Sequence, residues 1–163
     1  MKQIIVKYSL LSGAASVGYA LLFYTFNKPL YVGSFWFTLG LWVLYIALFY
    51  IAGKEAHGIG LSGRVALKAL FGAFAIGAVG YFAFDYFMYH SDLGLAEMQK
   101  ESMVEMYLRS GTSPKDMNEM REAIMGGHYH TVGSTLFSLA QRLIGGFIVC
   151  FGVQYLISSR AEK

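Results

Sequence analysis

The chain has 163 residues, of which 56% are hydrophobic, 17% aromatic and only 14% charged, with a formal net charge of +3. That leaves little polar sequence for a soluble domain, and the single cysteine, Cys150, excludes a disulfide framework or a thiolate metal centre within one chain. The positive excess contains no basic cluster with interleaved aromatics, so nucleic acid is not an expected partner.

Charge-free runs define the elements. Lys7 is followed by no charge until Lys28, and the run between them is long enough for a helix to cross a bilayer, at about 8–27. It is longer than the apolar core of a signal peptide and lacks a small-x-small cleavage pattern, so it is expected to stay in the mature protein. The next run, Pro29 to Gly53, is uncharged and rich in aromatics such as Trp36, Phe37, Trp42 and Tyr45, predicting a second span at about 31–53. Gly58, Gly60 and Gly63 have the spacing of a phosphate-cradling loop. No strand precedes them and no P-loop Lys-Ser/Thr follows, so they read as a turn, with His57 as a solvated residue beside it. A third span at about 65–89 is interrupted only by Lys68 and Asp85, and a fourth at about 131–158 only by Arg142.

Between them, residues 91–130 read as two short amphipathic helices. The first carries Leu95, Met98, Met103, Met106 and Tyr107 near one face. The second opens at Ser113-Pro114, with Asp116 completing a capping box, and stops at Gly126-Gly127. The fold class is therefore all-α: a polytopic integral membrane protein forming a single membrane domain over 1–163. Lys and Arg gather at the termini and in the loop between spans two and three, whereas the 91–130 segment is acidic. The positive-inside rule then places both termini in the cytoplasm and the acidic segment outside.

Lys7-Tyr8-Ser9-Leu10-Leu11-Ser12-Gly13 opens the first span, Lys54-Glu55-Ala56-His57-Gly58-Ile59-Gly60-Leu61 forms the inner loop, Asp85 ends the third span, and Gly111-Thr112-Ser113-Pro114-Lys115-Asp116 precedes the fourth. This pattern resembles domain-of-unknown-function family 4199, small four-helix membrane proteins of Bacteroidota, over nearly the full length. The chain departs from it where Tyr86 follows Asp85 in place of a proline and where no aromatic follows Gly60. The resemblance implies a protein of the bacterial cytoplasmic (inner) membrane, and brings no activity and no catalytic residues.

Asp85 lies 17 residues past Lys68 and Arg142 lies 18 before Arg160, so both sit at about 26 Å from the same edge of the bundle. They form a candidate ion pair, or an anion or lipid site, with Tyr81 and Tyr89 one turn either side of Asp85 and Gln141 beside Arg142. A structural clip is the favoured role, because a charge near the interface is cheap and a long arginine can snorkel. His90, His128 and His130 are weak metal candidates, since His128 and His130 point apart on a helix, and no metal or cofactor is expected. Small residues at helical spacing (Ser12, Ser16 and Ala20; Ala14 and Gly18; Ala73 and Gly77; Gly145, Gly146 and Cys150) predict close helix packing, first within the chain. No nucleophile with a base and no carboxylate pair points to catalysis. The expected function is a non-enzymatic accessory or scaffold subunit of a membrane complex, with membrane lipids and another membrane protein or a second copy as partners. The alternative is a small-solute or anionic-lipid binding or transport protein with its site at Asp85 and Arg142.

Overall fold

The computed structural model describes residues 1–32, 34–109, 114–127 and 130–161, with side chains described except at 114–117, 160 and 161. Seven helices follow in order: α1 (Lys2–Phe26), α2 (Lys28–Tyr31), α3 (Phe35–Gly58), α4 (Gly63–Ser91), α5 (Leu93–Arg109), α6 (Pro114–Gly126) and α7 (Val132–Ala161). Four of them, α1, α3, α4 and α7, are long and apolar enough to cross a membrane. No strand occurs among the described residues.

The helix limits follow local chemistry. Asn27 caps α2 by accepting from the Leu30 N–H, and Pro29 suits its first turn. Ser34 likewise accepts from the Trp36 N–H and starts α3. Residues expected at the head of the second span therefore form a separate short helix, and the long apolar helix that follows is Phe35–Gly58. At the other end of α3, Gly60 takes φ +77° while Leu61 N–H reaches the Ala56 carbonyl and Gly60 N–H that of His57. This is a Schellman stop, and it needs the left-handed backbone that glycine supplies. The proposed caps of α6 at Ser113 and Asp116 lie outside the described residues or side chains.

The four long helices pack in the cyclic order α1, α4, α7, α3. The α1–α4 contact is closest, because small residues line it. Ser12, Ser16 and Ala20 of α1 and Ala73 and Gly77 of α4 are buried, and Gly13 and Gly77 meet almost backbone to backbone. Ala14 and Gly18 face outward, so only part of the small-residue pattern serves this contact. Between the ends, the bundle is filled by Leu41, Tyr45, Phe49, Leu70, Phe74 and Cys150, all buried. Gly146 on α7 leaves the space that the Phe74 ring occupies.

The first turns of α1 and the later turns of α7 lie beside the α3–α4 turn. There Lys7 Nζ and Tyr8 Oη both donate to Glu55 Oε2, at 2.6 and 2.7 Å, and Gln154 of α7 bonds His57 at 2.7 Å. His57 is thus half-buried and partnered, where the sequence suggested a solvated residue. The opposite end is capped by α2, α5 and α6, with α5 anchored by buried Leu95 and α6 packed on α5. We expect Gly146→Ala to lower unfolding stability in detergent by about 1–3 kcal/mol, because the new methyl overlaps the Phe74 ring. Gly18→Ala, whose methyl meets nothing within 4 Å, should leave stability unchanged.

Candidate functional site at the capped end

Tyr31 and Asp92 organise the capped end. Asp92 closes α4 and opens α5, accepting from Gly94 N–H at 3.1 Å through one oxygen and from Lys28 Nζ at 2.7 Å and Tyr24 Oη at 2.9 Å through the other. The Lys28 hydrogen bond holds Asp92 below the usual carboxylate range, and the same contact holds Lys28 up. Loop and helix ends from three elements are thereby joined through one side chain.

Tyr31 does the same one turn deeper. Its hydroxyl donates to Asp85 Oδ1 at 2.6 Å, and its ring stacks on Tyr89 at 6.0 Å and meets Tyr24 and Phe37 edge-on. The expected Asp85–Arg142 ion pair is not formed. Among the described residues the ion pairs are Lys7–Glu55, Lys28–Asp92 and Arg109–Glu105. Arg142 instead lies over aromatic faces, its guanidinium carbon 4.8 Å from the Trp42 ring centre, 5.5 Å from Tyr45 and 5.8 Å from Tyr81. Its Nε and one terminal nitrogen, Nη2, are buried without a hydrogen-bond partner. Three rings offset part of that cost through their negative faces. Tyr81 and Tyr89 are both buried, whereas Gln141 is exposed on α7. Gly145 lies against Trp42, where a side chain would crowd the indole.

His90 and His130 border one cavity but hold different partners. His90 is exposed, with Nδ1 at 2.8 Å from the Tyr86 carbonyl oxygen. His130 stacks on Tyr89 at 3.6 Å and hydrogen-bonds Gln99, while His128 lies outside the described residues. No group of three or more His, Cys, Asp or Glu suited to a metal ion occurs among the described residues. Burial, and then the nearby His90, push the His130 imidazole down to about 4.

Two cavities adjoin here. A chamber of about 150 Å³ is bordered by Asp85, Gln99, His130, Ser134, Thr135 and Ser138. A larger one of about 420 Å³ is bordered chiefly by Tyr86, Tyr89, His90, Leu93, Ala96 and Lys100. Gln99 and His130 line both, and Arg142 lines neither. Sequence reasoning found Asp85, Tyr81, Tyr89 and His130 but missed Tyr31, Trp42, Tyr45 and Gln99. The Asn27-Lys28-Pro29 cap signal was the one clue that Tyr31 belongs to a separate turn of helix. No family model matches the chain, and no curated protein or solved structure is significantly similar to it.

Tyr31→Phe deprives Asp85 of its donor, so we expect a loss of about 1–3 kcal/mol in unfolding stability. Acid gives a second readout. The folded chain keeps His130 neutral while the unfolded chain binds a proton near 6.5, so its contribution is intact above pH 6.5 and is lost as pH falls toward about 4. Unfolding titrations across that window should show stability falling with pH, and His130→Gln should flatten the fall.

Proposed function

We propose that this protein is a multi-pass protein of the bacterial cytoplasmic membrane, with both termini in the cytoplasm, acting as a non-enzymatic accessory or scaffold subunit. The apolar lengths of α1, α3, α4 and α7 support insertion, and the basic residues beside the termini and the α3–α4 turn support the orientation. The aromatic filling between the two polar ends supports a packing role over transport, because no string of ionisable groups runs through the bundle core.

One observation carries the subunit reading. The α5–α6 pair lies beyond the ends of the spans, where lipid tails do not cover it, yet Met106, Leu108 and Met125 are 60%, 57% and 42% exposed there. Methionine and leucine among Glu101, Glu105 and Arg121 give an adaptable surface with charge at its rim, suited to another protein.

The reading is tested by purifying the tagged chain from its native membrane in mild detergent and identifying what accompanies it by mass spectrometry. A stoichiometric protein partner that is lost with Leu108→Glu, while the variant remains folded, is the expected result. A wild-type chain that emerges alone and monomeric contradicts it.

A further inference from the structure

The two cavities at the capped end differ in chemistry in a way that selects a ligand. Among the described residues, Asp85 is the only formally charged side chain bordering the inner chamber. Its Oδ1 is committed to Tyr31, and among the described residues nothing else donates to the carboxylate. The remaining polar walls are the amide of Gln99 and the hydroxyls of Ser134, which is taken up by Thr131, and of Thr135 and Ser138, which can accept a hydrogen bond. His130 adds no positive charge at neutral pH, since burial holds it unprotonated. The nearest fixed cation, Arg142, is turned under its three rings and does not border the chamber.

Tyr86, Tyr89, Leu93 and Ala96 give the larger cavity an apolar wall beside its polar residues, and its volume of about 420 Å³ falls in the ~300–1,000 Å³ range of small-molecule sites. Its one lysine, Lys100, has Nζ held by the Met125 carbonyl at 2.7 Å. Gln99 and His130, hydrogen-bonded to each other, border both this space and the chamber that Asp85 lines.

We propose that the paired cavities bind an organic primary ammonium ion, with its head group against Asp85 and its apolar tail in the larger chamber beyond Gln99 and His130. An ammonium has three donors to share between the free carboxylate oxygen and the wall hydroxyls, and the tyrosine faces favour the adjoining cationic carbon. This site is independent of the partner surface on α5 and α6. A soluble amine and a phosphatidylethanolamine head group present the same chemistry.

The test uses the full-length chain in dodecyl maltoside and isothermal titration with phenethylammonium and its neutral isostere phenethyl alcohol. The ammonium should bind, and the alcohol should bind about tenfold or more weakly, for want of the charge-assisted contact. Asp85→Asn should abolish that preference. Thr135→Leu, which fills the inner chamber while leaving the carboxylate in place, should abolish binding even if the Asp85 variant fails to fold. Displacement of phenethylammonium by added phosphatidylethanolamine assigns the site to a membrane lipid, and its failure to displace assigns the site to a soluble amine. Equal binding of the two probes, no binding of the ammonium by the wild type, or undiminished binding by folded Thr135→Leu overturns the proposal.

Discussion

The hydrogen bond from Tyr31 to Asp85 decides the arrangement of the capped end. A carboxylate placed among aromatic side chains needs a donor, because burying it unpaired costs more than a bond to it returns. Arg142 is the obvious candidate by charge, yet the donor is a neutral phenol from a four-residue helix. That choice fixes α2 against α4 and carries the Tyr31 ring into contact with Tyr24, Phe37 and Tyr89, so that α1, α3 and α4 converge on one residue. It also frees Arg142 to lie under Trp42, Tyr45 and Tyr81, and leaves one edge of Asp85 on an open chamber.

Such an arrangement needs a rigid frame beneath it, and the α1–α4 contact supplies one. Gly13, Gly77 and Ser12 let two backbones approach closely, which in an apolar solvent replaces the hydrophobic effect as the source of helix association. Tyr45 links that contact to the site. Its hydroxyl pairs with Ser16 of α1 at 2.9 Å while its ring lies under Arg142. By contrast, only 17% of the most apolar stretch of α7 is buried, against 44% for α4. The helix that carries Arg142, Thr135 and Ser138 is therefore the least enclosed of the four long helices.

The long helices were legible in the sequence because uninterrupted apolar runs leave the backbone no other way to satisfy its hydrogen bonds in a membrane. Their ends were less so: α1 begins at Lys2, six residues before the apolar run, since a helix can continue past the hydrocarbon on polar residues. Depth along a helix was also readable, and Tyr81 does lie within reach of both Asp85 and Arg142. Which neighbour satisfies a charge was not, because that depends on the rotation of each helix and on where the short α2 turn delivers Tyr31. The same reason hid Gln99 and the bond between His57 and Gln154, both of which join residues distant in sequence. Methionine-rich amphipathic spacing predicted α5 and α6 but not how much of their apolar face would remain exposed, since spacing names a face without naming what covers it.

The most direct measurement is a pair of double-mutant cycles on unfolding stability, Tyr31→Phe with Asp85→Asn and Arg142→Met with Asp85→Asn. A coupling of about 1 kcal/mol or more between Tyr31 and Asp85, with a clearly smaller one between Arg142 and Asp85, is what the structure requires. Dominant coupling between Arg142 and Asp85, with Tyr31 contributing independently, would contradict it and restore the ion pair as the organising contact.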